Sequence, residues 1–78
     1  MSLEIGKRYC HYNNKKEYTV IAIGYFTESD PLLECVVYRA EYTDTELGEN
    51  PIFIRPREMF EEYVIVEGIK KERFSLVS

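Results

Sequence analysis

The chain has 78 residues, of which 45% are hydrophobic and 31% charged, with seven Tyr, four Phe, no Trp, two Cys, one His and a net charge of −4. That length supports one domain spanning residues 1–78, compact over about residues 5–76, and excludes a doubly wound nucleotide fold or a (β/α)8 barrel. The acidic balance has the wrong sign for a domain that binds by neutralising many phosphates, so nucleic acid is a disfavoured partner.

In chain order, Gly6 to Tyr12 is short, aromatic and preceded by glycine, which predicts a strand leaving a turn. Asn13 to Lys16 is the polar loop after it, and Glu17 to Ile23, β-branched and aromatic, reads as the second strand of a hairpin ended by Gly24. This run is apolar on both faces after Thr19, as in a strand covered on both sides. Thr27 to Pro31 is a cluster of turn formers and must be a loop. From Glu34 to Tyr42 the residues alternate, placing Val36, Tyr38, Ala40 and Tyr42 on one face and Cys35, Val37, Arg39 and Glu41 on the other.

Thr43 to Pro51 reads as a solvated acidic connection, and Ile52 to Arg55 as a fourth short strand stopped by Pro56. Proline then favours a helical turn over Arg57 to Glu62, with Met59, Phe60 and Tyr63 expected to plug one end of the core. Val64 to Val66, Glu67-Gly68 and the stretch from Ile69 form a tight hairpin whose glycine supplies a positive φ. Arg73 to Leu76 closes the chain.

Six or so short strands and one helical turn predict an all-β domain, mainly β with one short helical turn, folded as a small, partly open SH3-like barrel. A five-stranded OB-like barrel is the alternative, disfavoured by the short chain and the lack of a proper helix. So thin a core claims most large apolar residues, with Val36, Tyr38, Ala40, Phe53, Met59 and Phe60 expected to belong to it.

Catalytic templates run short of parts. His11 is the only histidine, and Cys10 and Cys35 show neither a paired spacing nor a C-x-x-C, so no metal or other cofactor is implied and both thiols read as reduced, small hydrophobes. Glycine-rich phosphate loops are absent. What remains is a set of aromatic residues interleaved with arginines. The candidate binding residues are His11, Arg39, Arg55, Tyr9, Tyr38 and Arg73, with Tyr42, Phe53 and Arg57 near them, because Tyr and Arg bring large contact area with a polar handle. The plainer reading makes most of these tyrosines packing elements and pairs the arginines with Glu34, Glu41 and Glu58.

The series Gly6-x-x-Tyr9-x-His11-Tyr12, Tyr18-Thr19-Val20, Val36-Val37-Tyr38-Arg39-Ala40, Ile54-Arg55-Pro56-x-x-Met59-Phe60 and Gly68 followed by Arg73-Phe74 resembles the small bacterial family known as domain of unknown function 1653. The match runs from Gly6 to Phe74, and its specificity lies in the ordered series. The resemblance implies a compact bacterial β domain and brings no activity or catalytic residue. The family pattern carries a His-Ser-Glu-Thr run before the Val-Val-Tyr-Arg strand and tends to Trp where Phe53 stands; here the loop from Phe26 to Glu34 has no histidine.

The leading expectation is therefore a non-enzymatic binding module contacting a protein or peptide. The alternatives are single-stranded nucleic-acid binding by stacking on Tyr9, Tyr38 and Tyr42, and small-molecule binding or catalysis around His11. The longest apolar-rich stretch, Tyr18 to Phe26, is too short to span a bilayer, and Met1-Ser2-Leu3-Glu4 has no secretory pattern, which predicts a cytoplasmic protein with no membrane partner. Monomer and weak homodimer are both compatible with exposed sheet edges.

Overall fold

Alternation in the middle of the chain organises the whole domain. In the computed structural model, which describes residues 3–77, Val36, Tyr38 and Ala40 point from strand β3 (Leu33–Ala40) into the core, while Arg39 lies on the opposite face. On one side β3 pairs antiparallel with β2 (Glu17–Phe26), and β2 with β1 (Arg8–His11). On the other side it pairs with β6 (Ile52–Pro56). The last strand, β9 (Phe74–Leu76), returns beside β1, giving the order β6-β3-β2-β1-β9. The edges β6 and β9 are not paired with each other, so the sheet curls without closing into a barrel.

The two-sided apolar run of β2 has a specific cause. Tyr38 pairs with Val20 and Val37 with Ala22, so Ile21 is an extra residue in the ladder, a β-bulge. The bulge resets the two-residue period and brings Ile23, rather than Ala22, to the core side with Val20. Beyond it β2 continues through Gly24 to Phe26, further than the sequence predicts, because Gly24 pairs regularly with Cys35 and has no positive φ to turn the chain.

Two small hairpins hang on this sheet. The stretch expected to be a plain connection contains β4 (Thr43–Asp44) and β5 (Gly48–Glu49). Asp44 accepts the backbone N–H groups of Glu46 and Leu47 at 2.8 and 2.9 Å, which folds the turn and holds its carboxyl below the usual range. The second pairs β7 (Tyr63–Val66) with β8 (Ile69–Glu72) across Glu67 and Gly68, both at positive φ as a two-residue primed turn requires.

Pro56 is followed by one helical turn, α1 (Arg57–Phe60). Of the three residues expected to plug the core from here, only Phe60 does so; Met59 and Tyr63 are about half exposed. A single turn aims one side chain inward, and Met59, one position earlier, falls on a different face. The buried cluster comprises Tyr9, Tyr18, Val20, Val36, Tyr38, Ala40, Phe60 and Phe74, with Phe53 packed partly against it. Phe60 stacks on Phe74 at a centroid distance of 4.1 Å, and Tyr38 meets both edge-on. Cys35 is buried, Cys10 half-buried, and both are free thiols.

Candidate functional site: an aromatic hollow between the sheet edges

Strand alternation in β6 turns Ile52 and Ile54 outward and Phe53 and Arg55 toward the concave side. Across the gap lie His11 of β1 and its ladder partner Phe74 of β9. Because the two edges do not pair, the concave side keeps a hollow of about 170 Å3 whose walls include His11, Tyr38, Tyr42, Phe53, Arg55 and Phe74. The Arg55 guanidinium lies over the Phe74 ring, 5.5 Å from its centroid. Asn14, from the loop after β1, and Tyr18 complete the lining.

Hydrogen bonds fix these groups in one sense. Arg55 Nε donates to the Tyr38 hydroxyl at 3.2 Å, and Asn14 Nδ2 donates to the Tyr18 hydroxyl at 3.1 Å. The Tyr18 and Tyr42 hydroxyls are 3.0 Å apart, and the Lys16 ammonium sits 4.3 Å from the centroid of the Tyr42 ring. Burial, then the Tyr18 hydroxyl, push the Tyr42 phenol up to about 12, so it keeps its proton at neutral pH. His11 Nδ1 accepts the Asn13 backbone N–H at 3.1 Å, which places the proton of the neutral ring on Nε2. Partial burial, followed by the charges of Arg55 and Arg73, lowers the His11 pKa below 6.5.

Arg55 differs from the other four arginines. Among the described residues it has no carboxylate partner, whereas Arg8 pairs with Glu17 and Glu41, Arg39 with Glu41, Arg57 with Glu34 and Glu61, and Arg73 with Glu62. Among the described residues no Asp, Glu, Ser, Thr or Cys lines the hollow. The wider depression formed by Leu33, Glu34, Arg57, Glu58 and Glu61 is different in kind, since its arginine is already held by two acids.

Of the six residues singled out in the sequence, the structure brings His11, Tyr38 and Arg55 together. Arg73 stands nearby but donates through Nε to Glu62 at 3.0 Å and faces the Tyr12 ring. Tyr9 is enclosed in the core against Phe60, its hydroxyl accepting the Glu4 backbone N–H. Arg39 lies on the outer face, held by Glu41 through Nε at 3.2 Å and Nη2 at 2.9 Å. Glu58, expected to pair with an arginine, makes no ion pair among the described residues; Glu61 and Glu62 do instead. Tyr18, Asn14 and Phe74 were not anticipated. The signal for Tyr18 and Phe74 is available only from the register, which sets Phe74 opposite His11 and Tyr18 opposite Ala40, diagonal to Tyr38 with ring centroids 5.5 Å apart. Among the described residues no three His, Cys, Asp or Glu side chains are grouped to hold a metal ion.

These features define a small all-β domain with an open sheet and a cationic, aromatic hollow at the gap. The chain belongs to the family described as protein of unknown function (DUF1653), which matches residues 7–76. No curated protein and no solved structure matches it. Among the described residues the loop between β2 and β3 contributes nothing to the hollow, whereas Phe53 lines it.

Proposed function

We propose that this protein is a non-enzymatic binding module of SH3-like type that docks a protein or peptide in the hollow between β6 and β9. The SH3-like reading draws on the meander β1-β2-β3-β6, the single helical turn after it, and the return of β9 beside β1. The observation that carries the functional reading is Arg55, a cation with no acid partner among the described residues, set in a wall of aromatic rings. Its Nη groups have no acceptor among the described residues, and a partner's acceptor would supply one. The volume, about 170 Å3, suits one inserted side chain and falls below the ~300–1,000 Å3 of drug-sized ligand sites. Among the described residues His11 meets no Ser, Thr or Cys within the hollow; it also borders a second depression of about 270 Å3 with Cys10 and Ser75, where Cys10 Sγ turns to the His11 backbone carbonyl and not to its ring.

Base stacking fits the geometry less well. Tyr9 and Tyr38 are 2% and 5% exposed, and Tyr38 is hemmed in by the rings of Tyr18, Phe60 and Phe74, which leaves no open face for a base. No helix among the described residues is long and apolar enough to cross a membrane, and a cytoplasmic location accords with the reduced thiols.

Selection from a displayed library of random heptapeptides, followed by titration of the 15N-labelled protein with the enriched sequences, tests the reading. Enriched peptides should perturb the Asn14 side-chain amide and the Arg55 Nε–H. Enrichment no greater than on heat-unfolded protein, or perturbations confined to the outer face around Ile52 and Ile54, would overturn it.

A further inference from the structure

The hollow is unbalanced in hydrogen-bonding chemistry. Arg55 uses Nε on Tyr38, which leaves the outer edge of its guanidinium, Nη1 and Nη2, without an acceptor among the described residues. The Tyr38 hydroxyl accepts from Arg55 and has no acceptor for its own proton there. The Tyr18–Tyr42 pair can use only one of its two hydroxyl protons internally, and Asn14 Nδ2 already occupies Tyr18 as donor. Neutral His11 keeps one N–H at Nε2, because Nδ1 is taken by the Asn13 backbone. Asn14 Oδ1, the remaining side-chain carbonyl in the lining, accepts the Lys16 backbone N–H at 2.8 Å. Donors therefore outnumber open acceptors, and the charge at the centre is positive in a protein whose net charge is −4.

We infer that the hollow is a receptor for a carboxylate, and that its occupant is the ionised side chain of a Glu or Asp of a partner protein. This rests on the docking reading above and specifies what docks. An ionised carboxylate is acceptor-only and planar, matching the free edge of a guanidinium in a bidentate pair. A cationic side chain is excluded from the same rings because Arg55 already occupies the cation's place over Phe74. A peptide's terminal carboxylate is a weaker match than a Glu side chain, since it carries no methylenes of its own to lie against the rings of the wall. The Glu methylenes would lie against the aromatic rings of the wall, Phe53 and Tyr42 among them.

Three peptides separate the possibilities when titrated into 15N-labelled protein at low ionic strength: acetyl-Ala-Glu-Ala-amide, acetyl-Ala-Gln-Ala-amide and acetyl-Ala-Ala-Ala with a free C-terminus. The Glu peptide should shift the Asn14 side-chain amide and the Arg55 Nε–H saturably and bind about tenfold or more tighter than the Gln peptide, as charge-assisted hydrogen bonds require. Arg55→Gln should reduce binding of the Glu peptide to the level that the Gln peptide shows on the parent protein. Arg55→Lys, which keeps the charge and loses the fork, should fall between them and serves if Arg55→Gln does not fold. Equal binding of Glu and Gln peptides would overturn the carboxylate assignment while sparing the docking reading, and so would tighter binding of the free-carboxylate peptide for the side-chain assignment. Display-selected peptides that leave Arg55 and Asn14 unmoved would overturn both.

Discussion

Arg55 on one edge of the sheet covers Phe74 on the other, with 5.5 Å between guanidinium carbon and ring centroid. The contact spans the gap that strand pairing leaves open, so a cation–aromatic interaction stands where a barrel would have a hydrogen-bonded seam. Its worth, about 0.5–2 kcal/mol, is small beside that of a strand ladder, which keeps the gap accessible.

The core beneath this gap depends on one residue of the helical turn. Phe60→Ala should destabilise by about 3–5 kcal/mol, because it removes the ring stacked on Phe74 and opens a cavity under Tyr9 and Tyr38. Met59→Ala, at a half-exposed position, should change stability by no more than about 0.5 kcal/mol. Urea unfolding curves of the two variants measure the contrast, and similar losses would contradict the packing described.

Tyr38→Phe keeps the buried ring and deletes the hydroxyl that Arg55 holds. A loss of about 1 kcal/mol is expected, or roughly 4–8 °C in Tm for a domain of this size. The Arg55 Nε–H should exchange with water faster than in the parent, which an NMR exchange measurement reads directly.

His11 makes the stability depend on pH in a defined direction. Its pKa in the folded protein lies below 6.5, chiefly through burial and then through Arg55 and Arg73, while in the unfolded chain it returns to the ordinary value. Between those two values the unfolded state binds more protons, so stability rises with pH. The contribution is present above about 6.5 and is lost as pH falls through the folded value. Melting temperatures at pH 7.5 and 5.5 should therefore differ more in the parent than in His11→Gln. Arg55→Gln should raise the His11 midpoint seen by NMR without restoring it fully, since burial is the larger cause.

Arg39, attractive in the sequence, should be silent in binding. Arg39→Ala removes a partly exposed ion pair with Glu41 on the outer face and should cost no more than about 1 kcal/mol. Peptide affinity should stay within about twofold of the parent, as expected for a substitution that touches neither the hollow nor its walls.

Much of this architecture was legible in residue order. The alternation from Val36 to Ala40, the proline before the helical turn and the Glu67-Gly68 hairpin follow from local rules, and the structure carries each of them. The bulge at Ile21 was not legible, because an extra residue in a uniformly apolar run leaves no mark in the pattern. The site was half legible for a related reason. His11, Tyr38 and Arg55 drew notice by residue type, yet so did Arg39 and Tyr9; alternation already sets Arg39 beside Glu41 on the outer face, whereas only the ladder register brings Arg55 to Phe74 within. Partner choice among five arginines and fourteen acids is a tertiary fact.

The most direct test is a crystal structure of the protein with a display-selected peptide bound. The account predicts a peptide Glu or Asp carboxylate paired with the outer edge of the Arg55 guanidinium, within hydrogen-bond reach of the Tyr38 hydroxyl. A peptide lying instead along the exposed outer face of β6, over Ile52 and Ile54, with the hollow unfilled, would contradict it.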